Sequence, residues 1–320
     1  MRPVVVVDRD IPFLEGVLEP WFEVRALPGK SIGPADVRDA VALLVRTRTR
    51  CDATLLDGAA VRFIGTATIG TDHIDLKYCE SHGITVASAP GCNAAAVAQY
   101  VRAALQVLDL DRPGATLGVV GVGHVGSLVA EAGRRAGMRV LLNDPPREAV
   151  EGSAGFTPLP DLLAQADVVT LHIPLWPENR DFADAAFFAA IKPGASFFNT
   201  SRGEVVDEAA LLSARPQLGR VVIDVWKNEP AINPDLLAAA DIATPHIAGY
   251  SIQGKMNGTT AVVRALGEAF GIDALKTFRI TGIPLPQTPY DIWRDDAALR
   301  SHPENFEQLR SHYSYRNDQL

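Results

Sequence analysis

Short apolar runs recur along the chain, and polar or glycine-rich turns separate them from stretches of helical spacing. In the first ninety residues the runs at 4–7, 42–45, 63–65 and 85–87 predict strands, with helical or polar segments between them. That alternation predicts a small parallel α/β unit. Asn93 then opens an alanine-rich segment in which Val97, Val101, Leu105 and Leu108 fall at helical spacing. Asn93 is the expected N-cap of this helix, and Asp111, Pro113 and Gly114 mark its end. A second α/β unit follows: a strand at 116–120, a glycine turn, a helix to about Ala136, and further strands at 140–143, 168–172, 196–199, 221–225 and 242–244. Residues 259–270 predict a helix that returns the chain to the first unit. From Thr277 the chain turns proline-rich, then charged and aromatic through Tyr290, Trp293 and Tyr313, which predicts a small appendage for packing or association.

Composition narrows the classes. With 320 residues the chain has room for two cores, and 47% apolar against 21% charged residues describes a globular protein. A net charge of -8 argues against a nucleic-acid partner. No stretch approaches the ~20 apolar residues of a membrane span. The chain enters a valine run at once without a signal-peptide pattern, so a cytoplasmic protein is expected. Cys51, Cys79 and Cys92 form no C-x-x-C pair, which disfavours a disulfide framework or zinc site. No metal is expected. Cys92, between Gly91 and Asn93, is read as a packed or loop thiol rather than a reactive one.

The turn after the 116–120 strand carries Gly121, Gly123 and Gly126, with His124 and Val125 between the last two. Gly121 permits a tight turn, Gly123 lets backbone approach a pyrophosphate, and Gly126 lets helix pack on strand. The helix N-terminus then offers partial positive charge to the phosphates. Asp144 answers at the end of the next strand, placed to accept hydrogen bonds from ribose hydroxyls. A carboxylate there disfavours the extra phosphate of NADP, so NAD is the expected cofactor, although Arg147 lies nearby.

Three later residues each close a strand-like run: Arg202, Glu229 and His246. Strand carboxyl ends gather over one crevice in an open parallel sheet. Imidazole titrates near working pH, which suits His246 as the base for an alcohol proton. Glu229 would fix its tautomer and favour the imidazolium. Arg202 can hold a carboxylate in a two-point fork. Singly, each also reads as a structural residue: a strand-end histidine, a solvated acid, a surface ion pair.

With these residues in place, the chain resembles the D-2-hydroxyacid dehydrogenase family across nearly all of 1–275. The likeness runs through the glycine turn, Asn199-Thr-Ser-Arg-Gly203, Asp224-Val-Trp-Lys-Asn-Glu-Pro230 and Pro245-His246. It implies that Arg202 binds substrate, that Glu229 partners the acid/base His246, and that Asp224 and Gly249 lie near the cofactor. It also implies two doubly wound parallel-sheet domains: a flavodoxin-like substrate domain at 1–92 plus 255–276 and a Rossmann NAD domain at 93–254. The active site is expected in the cleft between them. The 277–320 region is then a shortened C-terminal dimerisation region, and a homodimer is expected.

Finer words resemble one branch of that family, which acts on a phosphorylated sugar acid. They are Gly65-Thr-Ala-Thr-Ile-Gly-Thr-Asp-His-Ile-Asp75, Ala89-Pro-Gly-Cys-Asn-Ala94, Asp144-Pro-Pro-Arg147 and His246-Ile-Ala-Gly-Tyr-Ser251, followed by Gly254-Lys255 and Gly258-Thr-Thr260. The branch oxidises 4-phosphoerythronate with NAD in pyridoxal phosphate synthesis. Arg46, Thr47, Thr68 and Tyr250 match or flank positions that contact substrate there, while Arg48 and Arg50 read equally as a solvated loop. Gln99 stands where related chains often carry Glu, and the tail looks shortened before Tyr290 and after Tyr313. A glycerate, hydroxypyruvate or phosphoglycerate dehydrogenase shares the catalytic trio, and so does an NAD-sensing corepressor-like protein.

Overall fold

The computed structural model describes residues 2–319 and groups them into two compact α/β units. The first runs to Asn93 and takes up again from Ser251 to Leu285; the second is Ala94–Tyr250 with the chain from Pro286 onward.

The first unit is a five-stranded parallel sheet: β1 (Val4–Asp8), β2 (Glu23–Leu27), β3 (Ala40–Val45), β4 (Phe63–Thr66) and β5 (Thr85–Ala87), in the order β2-β1-β3-β4-β5. This is the flavodoxin-like order, whose switch point lies where the chain leaves β1 for β2 on one side and β3 on the other. β1, β3 and β4 are buried almost throughout, as continuous apolar runs in a parallel sheet should be. β2 was not expected. As an edge strand with Glu23 and Ala26 exposed, it has no apolar signature.

The helix expected at 259–270 is longer, spanning Ile252–Phe270 with the Ser251 hydroxyl accepting from the Gly254 N–H at 2.9 Å. Its early glycines mark close packing rather than a break. A Cβ on Gly258 would stand 2.8 Å from the Ala67 carbonyl oxygen. Val263 and Leu266 then join the core beneath β1, β3 and β4.

The second unit carries a six-stranded parallel sheet: β6 (Thr116–Val120), β7 (Arg139–Asn143), β8 (Val168–Leu171), β9 (Ser196–Asn199), β10 (Val221–Ile223) and β11 (Ile242–Ala243). Their order is β11-β10-β9-β8-β6-β7, so the switch point falls between β6 and β8. Successive residues face opposite layers: Phe197 packs with Phe187, Phe188 and Trp226, and Phe198 with Tyr100, Val101 and Leu117. The helix at 94–107 forms as its spacing predicts, but the Asn93 cap is not made. Asn93 Oδ1 is buried without a hydrogen-bond partner among the described residues.

The tail divides. Residues 277–285 group with the first unit and 286–320 with the second. Two helices, Ile292–Ser301 and Phe306–Ser311, put Leu299 and Phe306 into the second core. Asp296 Oδ1 accepts from the Ala243 N–H at 2.7 Å, which occupies a ladder donor on the edge strand β11. Arg300 donates to the Leu237 and Ala240 carbonyls at 2.7 Å each. No helix among the described residues is long and apolar enough to cross a membrane.

Candidate active site

Because every strand of the second unit runs parallel, all carboxyl ends share one edge. The glycine turn lies after β6 at the switch point. Gly121 adopts φ +86°, and a Cβ there would meet the His172 backbone after β8 at 2.7 Å. A Cβ on Gly126 would lie 1.9 Å from the Gly121 carbonyl oxygen, so helix and turn meet at glycine distance. Gly123 is different. It caps the twelve-residue helix His124–Arg135, is exposed, and a Cβ there would meet nothing within 4 Å. His124 is exposed and Val125 half-buried in the first turn. This open, donor-rich helix start fits a pyrophosphate.

Asp144, after β7, is already engaged. One oxygen accepts from Val122 N–H at 2.7 Å and the other from Arg147 N–H at 3.1 Å, fixing the glycine turn and the next helix together. Each carboxylate oxygen keeps a further lone pair for a ribose hydroxyl. Arg147 turns its guanidinium to the Val122 carbonyl and to Glu151.

Arg202, Glu229 and His246 follow the neighbouring strands β9, β10 and β11. Asn199 shapes the first of these loops: its amide donates to the Arg202 carbonyl at 2.9 Å, and its oxygen accepts from both N–H and hydroxyl of Ser201. Arg202 is half-buried, and Gly203 beside it presses on the Trp226–Lys227 backbone, where a Cβ would come within 2.0 Å of Trp226 C. The loops bearing Arg202 and Glu229 are therefore in direct contact.

His246 Nδ1 faces both oxygens of Glu229, at 3.0 and 2.9 Å, and Glu229 Oε1 also accepts from the Trp226 N–H. Burial works to raise the Glu229 carboxyl, but His246, Arg310 and the Trp226 N–H outweigh it and hold the group below its usual range. His246 has φ +57° and Asn228 φ +58°, left-handed conformations that cost side-chain-bearing residues and recur at functional sites. The His246 N–H, bonded to the Asp224 carbonyl at 2.7 Å, helps hold it there.

Asp224 organises the turn beneath. It is 1% exposed and accepts from the Thr244 hydroxyl at 2.6 Å, Ile247 N–H at 2.8 Å and Ala248 N–H at 3.1 Å. Thr244, its proton so used, accepts in turn from Tyr100 at 2.7 Å. Burial raises the Asp224 carboxyl, opposed by His246 and these donors. Gly249 and Tyr250 end the same turn, half-buried, and the Tyr250 ring meets Tyr313 and Tyr315 edge-on.

In the first unit, Arg46 and Thr47 follow β3, and Thr68 follows the adjacent β4, where Val45 pairs with Thr66. Arg46 Nη1 donates to the Asp10 carbonyl at 3.0 Å, just past β1, and so sits at that sheet's switch point. Thr47 is exposed, Thr68 shares a 2.7 Å hydrogen bond with Thr66, and Arg50 points away to Asp52. Buried Thr49 instead closes the loop onto the Gly29 carbonyl.

Some residues near the site carry no local sequence signal. His172, after β8, sets its ring nitrogens toward Thr170 at 3.0 Å and Thr200 at 3.4 Å, and desolvation pushes its pKa down to about 3. Arg310 reaches Glu229 from the tail. Arg316 donates to the carbonyls of Ala96, Ile247, Ala248 and Tyr250 and to Gln99 Oε1, while Gln99 donates to the Asn317 carbonyl. A glutamine answers both needs at position 99, accepting at one atom and donating at the other. Burial pushes Cys51 to about 12 and Cys92 to about 11, leaving little thiolate at neutral pH. No group of metal-ligating side chains occurs among the described residues.

Residues 92–248 match the family profile of the D-isomer specific 2-hydroxyacid dehydrogenase NAD-binding domain. Curated relatives named erythronate-4-phosphate dehydrogenase extend the match to nearly the whole chain. The Bacteroides fragilis protein is 46% identical, over 98% of this chain and 97% of its own, and the Cronobacter sakazakii protein 42% identical, over 98% and 92%. Among solved structures, D-lactate dehydrogenase from Aquifex aeolicus, complexed with NAD and lactic acid, superposes with a TM-score of 0.73 at 26% identity, over 88% of this chain and 100% of its own. The bonded imidazole–carboxylate pair, the glycine turn and these full-length likenesses agree: the chain belongs to the D-isomer specific 2-hydroxyacid dehydrogenase family and is an NAD-dependent dehydrogenase.

Proposed function

We propose that the chain oxidises 4-phospho-D-erythronate at C2 to (R)-3-hydroxy-2-oxo-4-phosphooxybutanoate, reducing NAD, in pyridoxal 5'-phosphate synthesis. The observation that carries this reading is the pairing of His246 Nδ1 with both Glu229 oxygens. With Nδ1–H donated to the carboxylate, Nε2 keeps the lone pair that takes the C2 hydroxyl proton. NAD, when bound, supplies the hydride acceptor. As the C–O double bond forms at C2, Glu229 stabilises the imidazolium that results. Arg202 is assigned to the substrate carboxylate, and Arg46, Thr47, Thr68 and Tyr250 to its remaining polar groups. Gly121, Gly123, His124, Val125, Gly126 and Asp144 are assigned to the dinucleotide, with Asp224 and Gly249 at its nicotinamide end. Names of full-length relatives at 46% and 42% identity support the phosphorylated substrate over glycerate or 3-phosphoglycerate, and support an enzyme over a sensor.

The decisive assay follows NADH formation by the absorbance of the reduced nicotinamide. 4-Phosphoerythronate should turn over far faster per enzyme at low concentration than glycerate or 3-phosphoglycerate; equal rates would overturn the substrate assignment. A cytoplasmic homodimer is part of the same reading, supported by the family likeness and by three free thiols. Sedimentation at micromolar concentration should give twice the 34.3 kDa chain mass.

A further inference from the structure

The C-terminal helix Phe306–Ser311 brings a guanidinium to the catalytic carboxylate. Arg310 Nη1 lies 3.5 Å from Glu229 Oε2, the same oxygen that faces His246 Nδ1 at 2.9 Å, and 3.1 Å from Glu307 Oε1. Its side chain is 16% exposed and that of Glu229 18%, so the contact is largely withdrawn from water. Arg310 Nε is buried with no hydrogen-bond partner among the described residues, and the guanidinium lies 5.8 Å from the Phe306 ring centre. Nη1 thus meets two carboxylates and the guanidinium also bonds Tyr250, while Nε goes unmet, an arrangement that stability alone does not favour.

We propose that Arg310 is a positioning residue for the Glu229–His246 pair: it shares the Glu229 carboxylate with His246 and so sets the pH at which the imidazole can accept a substrate proton. The inference rests on the base role assigned to His246. An imidazolium at Nδ1 is stabilised by Glu229, and a cation already on that carboxylate reduces the stabilisation. The charged and titratable groups around the cluster have defined places. Asp224 lies beneath His246 and interacts with it, Glu229 faces it at Nδ1, Tyr250 and Glu229 face Arg310 from the loops after β11 and β10, and Glu307 faces Arg310 from its own helix. Burial acts against the Arg310 charge, and Tyr250, Glu229 and Glu307 more than offset it, so the residue stays cationic throughout the working range. Glu307 also tempers what Arg310 can do to Glu229, and this gives the proposal a signed test.

In Arg310→Met, which keeps the bulk and removes the charge, the acid limb of kcat/KM for hydroxy-acid oxidation should move up by about one pH unit. In Glu307→Gln the limb should move the opposite way, by about half a unit or less, and Arg310→Lys should restore most of the wild-type profile. The titration midpoint of the His246 ring protons, followed by NMR without substrate, should move in the same directions. A residue that merely props the helix would lower kcat without shifting either readout. Unchanged limbs and midpoints, or shifts of the same sign in both variants, would overturn the proposal. Should Arg310→Met fail to fold, Glu307→Gln alone decides by its downward shift or its absence. Loss of NADH formation by the wild-type protein on every 2-hydroxy acid tried would sink the catalytic reading instead, while the NMR midpoints still decide whether Arg310 governs His246.

Discussion

Asp224 in the second unit takes three hydrogen bonds from its own chain, Asp144 takes two, and Glu229 is held between His246, the Trp226 N–H and Arg310. In the first unit Thr47 is exposed, Arg50 is spent on Asp52, and Arg46 holds one carbonyl. Both sets occupy the carboxyl edge of a parallel sheet, but the second is the more densely hydrogen-bonded: its carboxylates take two or three bonds each, whereas Arg46 and Thr68 each show one or two. Groups that must stabilise charge in a transition state are best oriented in advance, so that no reorganisation is needed during reaction. Groups that recognise a substrate's far end can instead be ordered by the substrate, at some cost in affinity. The contrast sets the acid–base pair apart from the first-unit groups assigned to the substrate.

The largest expected effect is on the fixed side. His246→Ala should lower kcat by about 10²- to 10⁴-fold, with NAD affinity, read by fluorescence titration, unchanged; near wild-type turnover would contradict the base assignment. Next come two alanines in the glycine turn. Gly126→Ala drives a Cβ against the Gly121 carbonyl oxygen and should destabilise the second unit by about 1–3 kcal/mol. Gly123→Ala has open space and φ −75°, so its thermal midpoint should match wild type while NAD binding weakens. Equal midpoints in the two variants would mean that the turn is not closed as described.

On the recognition side, Arg46→Ala should raise KM for the phosphorylated acid by about ten- to a hundredfold, with little change in kcat or melting temperature. A kcat loss as large as that of His246→Ala would erase the division between the two edges. The smallest effect is on stability. The Glu229 carboxyl is depressed in the folded chain, so its contribution is present above the ordinary glutamate range and is lost as pH falls through the depressed value. The melting temperature of Glu229→Gln should therefore trail wild type by about 2–4 °C at pH 7, and the gap should close toward pH 3. A gap that widens on acidification would reverse the assigned sign.

Much of this was legible from residue order. Parallel strands carry apolar runs, so β1, β3, β4 and β6–β11 announce themselves even where, as in β7, an end is exposed, and residues just after them fall on the ligand-binding edge by topology. The glycine turn with Asp144 was legible for the same local reason. β2 was not, because an edge strand with exposed Glu23 and Ala26 has no apolar run. The first turns of Ile252–Phe270 were hidden by Gly254 and Gly258, whose need for glycine arises from what packs against them.

By itself the sequence determined two parallel α/β units, a dinucleotide turn and a trio of arginine, carboxylate and imidazole at strand ends, since each depends on local periodicity or on position within a strand–loop repeat. Only the tertiary structure decided that both Glu229 oxygens face one ring nitrogen, that Asp224 holds the His246 turn, and that Arg310 and Arg316 reach back from the tail to the catalytic loops. Those contacts join residues tens of positions apart, and no periodicity along the chain encodes them. They exist because the tail helices bury Leu299 and Phe306 against the second core, which carries Arg310, and the segment with Arg316 that follows, to the catalytic loop.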